Sequence, residues 1–257
     1  MTSSNRMHLV MFDIDGTLTD TMKADEECFV RSFVEVFGFT DIDTDWSHYR
    51  HATDSGILHE ICVSRMGRPP TGLEVSRFRR RFIELLAAAS SRAQFALVAG
   101  ADRFLSRLAR GDTYRVSLAT GCWRDSARLK LASVGMCFDD YPAASADDAP
   151  DRESILTLSR QRAVERYGGP SACIAYVGDG VWDARACRAL SIPFIGIASG
   201  NRAARLASEG AVHVFQDFSD DDLLLKSLDE LTRMARQACS GEPPHPRPQL
   251  MRRGDKK

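Results

Sequence analysis

The stretch His8-Leu9-Val10-Met11-Phe12-Asp13-Ile14-Asp15-Gly16-Thr17 decides how the rest of this chain is read. A short apolar run with no polar alternation meets an acid, then a second acid, a glycine and a threonine. Such a run suits a strand buried on both faces of a parallel sheet, because a half-exposed strand would alternate. The polar residues that follow belong to the loop beyond its carboxyl end.

Three more runs of the same kind lie downstream, Tyr114–Ala119, Ala172–Val177 and Ile192–Ile197, with Val212–Phe215 as a candidate fifth. Helical patterns separate them. Phe104, Leu105 and Leu108 mark a helix stopping near Gly111, Ser126–Val134 one ending at Gly135, and residues 151–167 an amphipathic one. Asp183–Leu190 and residues 220–236 complete the set. Strands alternating with helices predict an α/β fold, a Rossmann-like doubly wound parallel sheet.

Residues 22–90 break the alternation. Cys28, Phe29, Phe33, Val36 and Phe37 form one apolar helical stripe, and Phe78, Phe82, Leu85 and Leu86 another. A turn-rich piece from Thr40 to Asp54 and a Gly67-Arg68-Pro69-Pro70 break lie between them. The expected organisation is a core over 1–20 and 91–239, a helical insert over 21–90, and a disordered tail over 240–257, where Pro, Arg and Lys dominate.

Bulk properties narrow the function. The chain has 257 residues, 44% hydrophobic and 27% charged, with a net charge of −1. That composition supports a sizeable core and offers no basic field for nucleic acid. No apolar run is long enough for a bilayer, and residues 1–5 lack the pattern of an export signal. The 7 cysteines are scattered without a CxxC pair, as expected of reduced packing residues in the cytoplasm.

In parallel sheets, functional groups collect beyond the carboxyl ends of the strands. Here the strand ends carry Asp13 and Asp15, then Thr120-Gly121, then Gly178-Asp179-Gly180 with Asp183 following. Asp13 and Asp15 can converge on one ion or substrate, and Asp179 supplies a third carboxylate from a neighbouring strand. Like charges held together require a cation, and hard oxygen ligands without His or Cys suit Mg2+ better than zinc. Gly16 and Thr17 would let backbone amides face a substrate. Taken alone, Asp-Gly more often marks a tight turn and nothing more.

Together the segments MFDIDGTLTD, LATG and YVGDGVWD resemble the haloacid dehalogenase superfamily, whose pattern is hhhhDxDGT, hhh(S/T), a Lys or Arg, then GDxxxD. The resemblance covers roughly residues 7–235 and is interrupted where that family carries its helical C1 cap. It implies a Mg2+-dependent phosphohydrolase. Asp13 matches the covalent nucleophile, and Asp15 the general acid/base, with its backbone carbonyl on the metal. Thr120 matches the hydroxyl that bonds a phosphoryl oxygen, Asp179 the acidic metal ligand, and Asp183 a further acid at the metal. Arg152 is preferred for the phosphate-binding cation, with Lys130 the competitor, read as a solvated helix lysine. Gly121 would frame the pocket beside Thr120.

Phosphoglycolate phosphatase-like is the best single label that the resemblance offers. It implies a small-molecule phosphate ester as partner, no nucleic acid or membrane, and a monomer or homodimer. A β-phosphoglucomutase-like sugar phosphomutase keeps both acids and stays open. A catalytically inert binding protein is the alternative of another class. Trp123 is read equally as pocket or packing, and the Arg77–Arg81 run as a solvated face. The Thr53–Gly56 turn serves as a helix N-cap or as a loop reaching the substrate, and His48, His51 and His59 as non-metal residues.

Overall fold

The computed structural model describes residues 7–240. Strand β1 (His8–Phe12) is buried along its whole length. Its neighbours are β2 (Tyr114–Ala119) on one side and β4 (Ile174–Gly178) on the other, both parallel to it. The six-stranded sheet is completed by β3 (Ala143–Ala144), β5 (Phe194–Ile197) and β6 (His213–Phe215), in the order β3-β2-β1-β4-β5-β6. This is the doubly wound α/β architecture expected from the strand and helix pattern.

Both faces of β1 are covered, which explains its unbroken apolar run. Val10 and Phe12 face helix α4 (Ala101–Arg110) and the start of α9 (Asp221–Ser240), packing with Phe104, Phe218 and Leu224. Leu9 and Met11 face the opposite way, toward Ile155, Leu156 and Ala163 of α6 (Arg152–Tyr167) and Cys187 of α7 (Val181–Ala189). The remaining core helix on the first face is α5 (Arg124–Ser133), held through Ala127 and Leu131.

Two elements were not expected. β3 is too short to show a pattern, and it forms because Leu118 and Ala119 offer a free parallel edge. Helix α8 (Gly200–Ser208) is largely polar and contributes one fully buried apolar residue, Leu206. The last helix continues to Ser240, beyond the expected stop at 236, because nothing between them breaks it. The rest of the expected tail lies outside the described residues.

The insert consists of α1 (Met22–Phe37), α2 (Asp54–Met66) and α3 (Gly72–Arg92). Its connections to the core run side by side, with Val98 donating to Leu18 O and Asp20 to Ala96 O. Phe29 is its centre, edge-on to Phe78 at 5.2 Å and Phe82 at 5.3 Å between ring centroids. Trp123 from the core joins the same cluster at 6.0 Å. It is 1% exposed, so of its two readings the packing one holds. Among the described residues, no helix is long and apolar enough to cross a membrane.

Candidate active site

The winding reverses between β1 and β4, and at such a switch point the loops on either side part to leave a crevice. Asp13 follows β1 directly, Asp179 follows β4, and Thr120 follows β2. The insert roofs this crevice, enclosing a cavity of about 420 Å3. Acids separated by more than 160 positions therefore meet because their strands are hydrogen-bonded neighbours.

Carboxylate oxygens of Asp13, Asp179 and Asp183 lie within 4.8 Å of one another, and all three residues are buried. Burial pushes each carboxyl pKa up, that of Asp183 to about 7. Arg152 opposes the shift at Asp13 and Asp183, and Arg202 does so at Asp179. Asp13 Oδ1 is buried with no hydrogen-bond partner. Three crowded carboxylates offering hard oxygens, one of them with an unsatisfied atom, fit a small divalent cation.

Arg152 enters from the first turn of α6. Its Nη1 lies 3.1 Å from Asp183 Oδ1 and 3.4 Å from Asp13 Oδ2, yet makes a hydrogen bond to neither. Its Nε donates to Ala52 O of the insert at 3.0 Å. Gly121 leaves room for this group, since a β-carbon at that position would displace the Arg152 guanidinium. Thr120 is buried, and its hydroxyl helps hold Asp13 ionised and lies 3.0 Å from Cys122 Sγ.

Gly16 and Thr17 behave differently from expectation. Their amides are consumed inside the loop, donating to Thr19 O at 2.8 Å and Ile14 O at 3.2 Å, and neither residue lines the cavity. Gly16 is instead needed for its φ of +70° and because a side chain there would strike Asp179. The Asp15 carboxylate is also absent from the acidic trio. One of its oxygens accepts from Thr21 Oγ1 and the other from Lys130 Nζ at 2.7 Å.

Lys130 corrects the sequence reading most sharply. It is fully buried rather than solvated, and it does not reach Asp13. Burial presses its ammonium pKa down, but Asp15 and Asp25 more than offset this and hold it charged. The arginine run is corrected in part: Arg79 lies 2.7 Å from Asp147 and stacks over Trp123, and Arg81 pairs with Glu35.

A model of the haloacid dehalogenase-like hydrolases matches residues 7–190. The chain belongs to this family and is a hydrolase. A hydrolase from Pseudomonas syringae is similar at a TM-score of 0.67 and 23% identity, over 88% of this chain and 99% of that one. CbbY from Rhodobacter sphaeroides, in complex with phosphate, reaches 0.65 at 17% identity, over 83% and 96%. A "predicted phosphoglycolate phosphatase" from Haemophilus somnus reaches 0.60 at 17%, over 87% and 98%. At these identities the likeness shows the fold. No curated protein matches the chain.

For a member of this hydrolase family, the insert supplies more of the site than its sequence suggested. Thr53 does cap α2, accepting from Gly56 N at 3.0 Å, and its hydroxyl also donates to Pro150 O at 2.7 Å. Asp54 Oδ2 accepts from Trp123 N at 2.8 Å. Asp25 and Asp54 line the cavity, as does Arg202, which pairs with Asp179. Asp54 belongs to the Thr53–Gly56 turn, for which a loop reaching the substrate was one of the two readings; nothing in the local sequence marked Asp25 or Arg202. Among the described residues no histidine joins a metal-ligand cluster; His48 pairs with Asp43 at 2.7 Å.

The buried carboxyls set a pH dependence for the metal-free protein. A carboxyl raised from the ordinary ~4 contributes stability that is complete below the unfolded value and lost as pH rises through the folded one. For Asp183 that window ends near pH 7. Urea unfolding in excess chelator is therefore expected to show lower stability at pH 8 than at pH 5, with a smaller drop in Asp183→Asn. Stability that is flat, or that rises with pH, would contradict this assignment.

Proposed function

We propose that this hydrolase is a Mg2+-dependent phosphatase of small phosphate monoesters, acting through an aspartyl-phosphate on Asp13. The observation that carries the reading is a pair of buried polar atoms on the cavity without hydrogen-bond partners, Asp13 Oδ1 and Arg152 Nη1. One is a nucleophilic oxygen and the other a donor: a phosphoryl group between them would accept from Nη1 and present its phosphorus to Oδ1.

Asp13 attacks phosphorus, and the bond to the leaving oxygen breaks as the new O–P bond forms. Asp15 gives its proton to that oxygen, so the product departs as an alcohol. Asp15 then takes a proton from the attacking water, the bond from Asp13 to phosphorus breaks, and inorganic phosphate leaves. Arg152 and Thr120 hold the phosphoryl oxygens during both transfers. Mg2+, held by Asp13, Asp179, Asp183 and the Asp15 carbonyl, would supply positive charge against the repulsion between carboxylate and phosphate.

The insert side of the cavity presents Asp25, Glu26 and Asp54. Among its described residues Lys23 is the basic side chain there, and it is exposed. This wall favours a hydroxylated, uncharged leaving group over one bearing a second acid, which phosphoglycolate would present. It equally favours a sugar phosphomutase, the second reading, in which phosphate moves between sugar positions without net release.

Turnover of p-nitrophenyl phosphate should require Mg2+ and stop in EDTA; the absence of turnover in Mg2+ would return the chain to a binding role. Asp13→Asn should abolish turnover with the fold intact, and residual hydrolysis would remove the covalent step. Arg152→Ala should lower kcat/KM at least about 100-fold, the scale of losing a transition-state charge partner. In a panel of esters, sugar and glycerol phosphates should be hydrolysed faster than phosphoglycolate. The reverse order would overturn the reading of the acidic wall.

A further inference from the structure

Lys130 lies on the inward face of α5, one turn from Ala127 and beside Leu131, and all three are fully buried. Apolar side chains at such positions suffice to pack the helix against the sheet. An ammonium group there must be desolvated, which is unfavourable unless the surroundings require the charge. Among the described residues its ion-pair partners are two carboxylates, Asp15 at 2.7 Å and Asp25 of the insert. Both carboxylates line the catalytic cavity.

We propose that Lys130 is the positioning residue for the acid/base carboxylate of Asp15, and that it ties that carboxylate to the insert through Asp25. The inference rests on the role given above to Asp15. The ammonium takes one Asp15 oxygen while Thr21 takes the other, so the carboxylate is held from both sides. Without Lys130, Asp15 would lose one tether and face Asp25 with no intervening cation. Thr21 and Asp25 both sit at the start of the insert, Thr21 as the cap residue of α1 and Asp25 in its first turn. The group that protonates the leaving oxygen is thereby anchored to the element that covers the leaving group. Lys130 touches no reacting atom in this scheme; it acts through Asp15.

A residue that works through a general acid matters most where the leaving group needs a proton. Phosphoryl transfer to Asp13 from p-nitrophenyl phosphate expels a phenolate that leaves unaided, whereas glycerol phosphate must expel an alkoxide. The value of kcat/KM reports that first transfer alone. Lys130→Met is expected to lower kcat/KM about 100-fold on glycerol phosphate and less than about tenfold on p-nitrophenyl phosphate, within the range for general acid catalysis. Asp15→Asn should show the same selectivity, and adding Lys130→Met to it should cost little more.

Equal losses on the two esters, no loss on either, or a further large loss in the double variant would overturn the proposal. If wild type hydrolyses neither ester, or Asp15→Asn shows no selectivity, the reading of Asp15 fails instead. Should Lys130→Met not fold, Lys130→Met combined with Asp25→Leu removes both buried charges together, and the same comparison of esters decides the matter.

Discussion

Buried carboxylates crowd the cavity and its floor, with Asp15 and Glu26 beside them on the lining. Asp13, Asp54, Asp179 and Asp183 are buried and Asp25 nearly so, and burial raises the pKa of every one of them. Such an arrangement is unstable on its own, since each charge is poorly solvated and repelled by its neighbours. Two buried cations offset it from opposite sides. Arg152 stands among Asp13, Asp183 and, more distantly, Asp179, while Lys130 stands among Asp15, Asp25 and Asp54. In the proposed mechanism this division separates the phosphoryl end of the cavity from the leaving-group end.

This constraint organises much else. Gly121 lacks a side chain so that the guanidinium of Arg152 can enter. Gly16 turns the loop after β1 while leaving room for Asp179. The amides of that loop close on themselves, so it is a rigid support for Asp13 and Asp15 rather than a substrate cradle. The insert is fastened by polar contacts around the same cavity: Thr53 to Pro150, Asp54 to Trp123, Ser55 to Ala146, and Arg152 to Ala52. Trp123 then extends into the aromatic cluster of the insert, so that catalytic loops and roof share packing as well as charge.

Much of the architecture was legible before any coordinates. Strands buried on both faces write their own signature, and β1, β2 and β4 stood out as apolar runs ending in polar residues. The acids at strand ends followed, because a parallel sheet sends its carboxyl ends to one side. Elements with little apolar content escaped: two-residue β3 and polar α8, each held by its neighbours rather than by its own composition. Lys130 escaped for a related reason. On an amphipathic helix a lysine is ordinarily placed on the solvent side.

By itself, the sequence determined the fold class and singled out Asp13, Asp15, Asp179 and Asp183 as candidate acids, because burial periodicity and strand-end position are local properties, whereas the strand order β3-β2-β1-β4-β5-β6 is a matter of packing. Only the tertiary structure decided which cation serves which carboxylate. Arg152 and Lys130 are 22 positions apart on different helices, and their assignments depend on how α5 and α6 pack against the sheet. The acids of the insert are in the same position. Asp25 looks like an ordinary helix-start residue until the insert folds back over the crevice, Asp54 leaves two readings open until then, and charge that acts through space leaves no spacing in the chain to be read.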